Sequence, residues 1–189
     1  VLLSLQKLQP RHRHVLMLLR KVYTELDDWQ GLLTLLPRLR RSKVVTKEQS
    51  QQISQQCHLE LLRSADDIQT AWRHMPRKFS ADARLLGYYL QVLIDDGQSD
   101  RAAKLLIRRL SKGLDRGLLD LFGRIESGDF SARYTLIKKW LHREPAQPGL
   151  LLAAARLASK VGEPDAAIGY YETLVEKEPT ALACQELAQ

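Results

Sequence analysis

Cysteine is nearly absent from this chain. Cys57 and Cys184 stand far apart, and neither belongs to a CxxC or Cys/His spacing, which excludes a disulfide framework and a structural zinc site. Both are expected as buried thiols in a reducing compartment. Aromatics are scarce as well, with three Phe and three Trp. No interleaving of basic and aromatic residues and no reader motif points to nucleic acid, so none is expected as a partner. Trp29, Trp72 and Trp140 lie in apolar stripes at helical spacing, the pattern of core packing. The charge-free stretch 145–155 is interrupted by proline and falls short of the about 20 apolar residues that a membrane helix needs. Glycine-rich phosphate loops, GxSxG, HExxH and His or Cys pairs at metal-ligand spacing are all missing, so neither catalysis nor a metal site is expected.

What is present is Leu and Ala, with 44% hydrophobic and 27% charged residues, the composition of a soluble, mostly helical chain. Four short turn signals punctuate it: Asp27-Asp28-Trp29, Asp96-Gly97-Gln98, Ser127-Gly128-Asp129 and Val161-Gly162-Glu163. Gly97 to Gly128 is 31 residues, Gly128 to Gly162 is 34, Pro145 to Pro179 is 34, and Asp27 to Gly97 is 70, two periods with one turn blurred near Ser64. A period near 34 between amphipathic stretches marks an array of paired helices.

Apolar periodicity and end signals predict helices over 13–26 and 29–41, the second carrying Pro37 as a bend or break. Thr46 is expected to cap a long polar helix through Leu62, and Asp66 to start a short one ending at Met75-Pro76. Ser80 and Ser99 are expected to cap 81–94 and 100–111, Asp129 to precede 130–142, and Pro148 and Pro164 to open the last two helices.

In the last repeat Gly162, Ala167, Tyr171 and Pro179 fall at offsets that resemble the tetratricopeptide consensus. The same offsets give Leu32 and Leu36 from Asp27, and Ala102 and Leu106 from Gly97. The fourth repeat departs, because Arg133 stands where a small residue belongs and the preceding helix, 118–126, is short; looser or kinked packing is expected there. The resemblance implies an all-α fold, a tetratricopeptide-like right-handed superhelical solenoid of about five helix pairs. It would form a single domain over 1–189, with repeats near 11–44, 45–79, 80–114, 115–147 and 148–181.

A narrower resemblance rests on Leu5-Gln6-Lys7-Leu8-Gln9-Pro10-Arg11-His12, Val15-Leu16, Asp28-Trp29, Leu32-Leu33, Leu36-Pro37 and Ala71-Trp72. These resemble the C-terminal repeat region of HemY-type proteins of proteobacteria. That resemblance implies a non-enzymatic scaffold on the cytoplasmic face of the inner membrane, associated with haem biosynthesis and anchored by helices preceding Val1. Its partners would be proteins, haem-biosynthesis enzymes among them, with tetrapyrrole handling as the alternative. Both ends of the chain fall inside Leu-rich or Ala-rich helical patterns, so it is read as a piece of a longer polypeptide. Ala181, Leu182, Leu187 and Ala188 look like an incomplete next helix, which a homodimer or a missing repeat would complete. No cofactor is expected, haem being the one candidate. Cys57-His58 lacks the CxxCH attachment spacing, and adjacent helical residues point about 100° apart. His12 and His14 likewise cannot chelate from one helix face.

Net charge is +7 but uneven. Residues 1–50 carry ten Lys or Arg against four acids, 101–150 eleven against five, and 151–189 three against six. The basic clusters are Arg38, Arg40, Arg41 and Lys43, then Arg101, Lys104, Arg108, Arg109 and Lys112. Of these, Arg38, Arg40, Arg41, Arg101, Lys104 and Arg108 are candidates for contact with an anionic membrane surface or simply a solvated face. Projection of the repeat places His14, Met17, Lys21, Arg84, Gln91, Arg156 and Lys160 on a groove. Its basic and polar lining would suit an acidic tail, a terminal carboxylate or porphyrin propionates.

Overall fold

Short polar residues set where the helices begin. The computed structural model describes residues 12–179, 184–186 and 188, and its regular structure there is entirely α-helical. The helices are α1 (Arg13–Glu25), α2 (Trp29–Arg41), α3 (Lys47–Arg63), α4 (Ile68–Arg73), α5 (Arg77–Ser80), α6 (Ala83–Asp95), α7 (Ser99–Leu110), α8 (Arg116–Arg124), α9 (Phe130–Arg143), α10 (Pro148–Lys160) and α11 (Pro164–Lys177). Asp28 accepts from the Gly31 amide at 2.7 Å, Asp115 from Leu118 at 3.1 Å and Asp129 from Ala132 at 2.8 Å. Thr46 and Gln49 form a reciprocal capping box on α3.

Two expected caps are corrected. Ser80 ends α5 and donates its hydroxyl to the Arg77 carbonyl, while Asp82 accepts from the Arg84 and Leu85 amides, both at 3.1 Å. Ser99 lies within the first turn of α7 and is buried, and Gln98 precedes it without a side-chain cap. The start of α4 is likewise capped by Asp67, one residue beyond Asp66.

The turn signals have a backbone cause. Asp27, Gly97, Gly128 and Gly162 all have positive φ, at 52°, 75°, 85° and 79°. At Asp27, Gly97 and Gly162 the residue's own amide and the next one fold back onto the end of the preceding helix, as in Gln98 N–H to Leu93 C=O at 2.7 Å and Glu163 N–H to Ala158 C=O at 2.9 Å. Lys43, with φ 53°, closes α2 in the same way through Val44 N–H and Leu39 C=O. Counting five and nine residues on from each turn gives Leu32 and Leu36, Ala102 and Leu106, Arg133 and Ile137, Ala167 and Tyr171, and all eight are buried.

Contacts divide the chain into two compact units that meet in sequence between Leu85 and Leu86, within α6. In the first, Leu16 and Leu19 of α1 pack with Leu32, Leu35, Leu36 and Leu39 of α2 and Cys57 of α3. α2 continues through Pro37 as one helix. In the second, α10 is central and touches α8, α9 and α11. Eight of its thirteen residues are buried, as its Leu- and Ala-rich sequence demands of a helix surrounded on most sides. Gly123 of α8 permits the closest approach, since a Cβ there would lie 3.1 Å from the Ala153 Cα. Trp140 is buried and Trp29 and Trp72 half-buried. Residues 1–11, which carry part of the narrower resemblance, and Ala181, Leu182 and Leu187 lie outside the described residues; Ala188 is exposed.

Candidate functional site

Arg156 projects from α10 into a cleft of about 520 Å³ lined also by Gly123, Arg124, Glu126, Lys160, Tyr171 and Glu186. Its side chain is only 10% exposed, which a lone cation would not tolerate. The guanidinium therefore meets two carboxylates. Nη1 donates to Asp120 Oδ1 of α8 at 2.7 Å, while Nε and Nη2 donate to the two oxygens of Glu186 at 2.9 and 2.6 Å. The Tyr171 hydroxyl of α11 donates to Glu186 at 2.8 Å. One helical turn on, Lys160 pairs with Glu126 at 2.8 Å and reaches the Ile125 carbonyl at 3.2 Å.

The electrostatics follow from this geometry. Burial opposes the charge on Arg156, but its hydrogen bonds to Glu186 and Asp120 outweigh burial and raise its pKa above the usual arginine value. Glu186 is held below the usual carboxylate range, first by Arg156, against the cost of burial, and then by Tyr171. Burial and the Glu186 hydrogen bond push the Tyr171 phenol up. All three groups are thereby fixed in one protonation state across the neutral range, so the arrangement orients a carboxylate instead of moving protons.

Arg133, expected to loosen the fourth repeat, fills its position. It is 4% exposed and its guanidinium donates to the carbonyls of Phe122, Ile125 and Ser127 at 3.3, 3.1 and 2.8 Å. Those are carbonyls at and just beyond the end of α8, left without amide partners where the helix stops. The rings of Phe122 and Phe130 lie 5.7 and 4.9 Å from the guanidinium carbon and complete its enclosure. Desolvation lowers its pKa, opposed by Glu126, Asp100 and Asp129.

The remaining candidates do not line this cleft. His14, Met17 and Lys21 are exposed on α1, where Lys21 pairs with Glu25 at 3.7 Å. Arg84 is exposed, and Gln91 donates to Asp95 at 2.8 Å. Arg38, Arg40 and Arg41 occupy the last turn of α2, where basic residues complement the helix dipole. Arg101, Lys104 and Arg108 are exposed on α7. Cys57 is fully buried and burial raises its thiol to about 11, while the adjacent His58 turns away to stack on Phe79, ring centres 4.0 Å apart. Among the described residues no group of three or more His, Cys, Asp or Glu is placed to hold a metal, and no helix is long and apolar enough to cross a membrane.

No protein-family model matches the chain, and no curated protein does either.

Sequence reasoning selected Arg156 and Lys160 but missed their acids. The signal was there in the spacing: Glu126 and Lys160 are 34 residues apart, Asp120 and Arg156 36, and Arg156 and Glu186 30. Opposite charges near one repeat period become neighbours when successive helices stack.

Proposed function

We propose that the chain is a non-enzymatic scaffold whose α8–α10–α11 cleft receives a carboxylate presented by a helical segment of a partner protein. The observation that carries this is the Glu186 carboxylate, seated on Arg156 and Tyr171 by three hydrogen bonds from a helical turn. The chain's own acid occupies the position that a partner's acid would take. Charge-assisted, forked arginine contacts give such recognition both strength and direction.

The wider setting belongs to the same reading. Burial of the repeat positions and the packing of α10 on both α8 and α11 support a tetratricopeptide-like right-handed solenoid of about five helix pairs. The HemY-type resemblance supplies an inner-membrane, haem-biosynthesis context, in which the exposed cations of α2 and α7 would face anionic lipid. A tetrapyrrole would instead place its propionates on Arg156 and Lys160, four residues apart on one face of α10.

The test is titration of an acidic amphipathic helical peptide into the wild type, Glu186→Ala and Arg156→Met, by fluorescence anisotropy. Vacating the site in Glu186→Ala is expected to tighten binding at least fivefold, and Arg156→Met to abolish it. Equal affinity in all three overturns the assignment. A saturable Soret shift on adding haem, lost in Arg156→Met, would favour the tetrapyrrole instead.

A further inference from the structure

Charge compensation differs sharply between the two units. In the second, the cations of the Arg156 cleft each have a carboxylate: Arg124 and Arg156 share Asp120, and Lys160 holds Glu126. In the first, a separate cleft of about 310 Å³ is lined by Leu33, Leu36, Pro37, Arg40, Lys47, Ser50, Gln51, Ser54 and Lys78. Three cations from three helices meet there, and no carboxylate lines the space. Among the described residues none of the three has an ion pair; Lys78 has only the Phe79 ring, 5.2 Å from its nitrogen. A neighbouring recess of about 360 Å³ shares Pro37 and Arg40 and adds Arg41, extending the positive surface.

Like charges gathered in excess of their counter-charge repel, and a folded chain that keeps them gathered has a standing affinity for an anion. Elsewhere in this unit the acids are spent on other tasks. Asp28, Asp67 and Asp82 cap helices, and Glu60 pairs with Arg63. Glu48, exposed in the first turn of α3, feels the charges of Lys47 and Arg40 but does not line the cleft, so one acid faces three cations from its rim.

We propose that the cleft between α2, α3 and α5 binds a phosphomonoester or diphosphate group through Arg40, Lys47 and Lys78. Three positive charges match the two or more negative charges such a group carries near neutrality better than the single charge of a carboxylate. Ser50, Gln51 and Ser54 add hydrogen-bonding groups. The apolar strip of Leu33, Leu36 and Pro37 gives the organic part of the ligand a seat. The shared chemistry has two sources, a soluble phosphorylated compound or the headgroup of a phosphatidic-acid-type lipid.

The experiment uses the whole chain and two probes: pyrophosphate, followed by amide and side-chain NMR shifts at low salt, and phosphatidylcholine vesicles containing phosphatidic acid, followed by co-sedimentation. Each is repeated on Arg40→Gln/Lys47→Gln/Lys78→Gln. All three side chains are exposed, so the variant should fold, as checked by its circular dichroism. Lys104→Gln/Arg108→Gln, which removes the same kind of charge on α7, is the control. The expected result is saturable pyrophosphate binding with shifts centred on residues 37–54 and 78, weakened at least tenfold in the triple variant and within twofold in the control. Vesicle binding that pyrophosphate displaces and the triple variant loses assigns the headgroup source; pyrophosphate binding without vesicle binding assigns the soluble one. Absence of binding by both probes, or equal loss in the triple variant and the control, overturns the proposal.

Discussion

At Arg133 a single side chain does the work of a helix terminus. Its fork supplies donors to three carbonyls at the end of α8, so Arg133→Met leaves them buried and unpaired. The expected loss is about 3 kcal/mol, read as a fall of roughly 6–12 °C in thermal midpoint. Arg133→Lys recovers little of it, because one ammonium cannot reach three divergent acceptors. The sequence marked this position as irregular and misjudged the sign of the effect. A residue type states its charge and bulk; it does not state that unpaired carbonyls converge on it. The two thiols make a second contrast at this scale. Cys57, buried and raised to about 11, is expected to resist a thiol reagent that modifies exposed Cys184 within minutes, so that a native titration counts one fast thiol and a denatured one counts two.

Among the elements, the helix ends were the most legible feature and the tertiary pairs the least. Left-handed backbone at Gly97 and Gly162 closes α6 and α10, and nothing lies within 4 Å of a Cβ added at either, so only the backbone conformation opposes a side chain. Gly162→Ala is accordingly expected to cost about 1 kcal/mol. Asp27→Gly and Lys43→Gly, which relieve the same strain at the ends of α1 and α2, should stabilise by a comparable or smaller amount in urea denaturation. Lys43 escaped sequence reading because lysine is no turn signal; position alone puts it there. Where α8 crosses α10 the constraint is steric instead. Gly123→Ala must displace Ala153 backbone 3.1 Å away and is expected to cost about 1–3 kcal/mol. The final described turn should respond to pH. Glu186 titrates below its ordinary value of 4.5 when folded, so its contribution is complete above that pH and is lost as pH falls through the lower, folded value. The protection of the amides at residues 184–186, taken relative to their intrinsic exchange rates, is expected to fall over that acidic window and to stay constant across it in Glu186→Gln.

For the molecule as a whole, the net charge resides in one unit. Residues 1–85 hold fifteen Lys and Arg against eight Asp and Glu, while 86–189 hold fourteen against fourteen. Binding of anions to the first unit should therefore weaken steeply with salt, whereas the Arg156 pair, being largely buried, should change little between about 50 and 300 mM, over which the Debye length falls from roughly 14 to roughly 6 Å. The sequence by itself determined the period near 34, most helix ends to within about two residues, and the burial of the apolar positions five and nine residues past the turns. Those follow from local backbone geometry and from apolar periodicity, both written in consecutive residues. Only the tertiary structure decided which charges are compensated. Arg156 and Lys160 find acids 30 to 36 residues away because α8, α10 and the final turn lie side by side, whereas among the described residues Arg40, Lys47 and Lys78 form no ion pair because the helices that gather them bring no carboxylate into the cleft. Pairing at such distances depends on helix packing, and a linear pattern of signs fixes the candidates without fixing the partners.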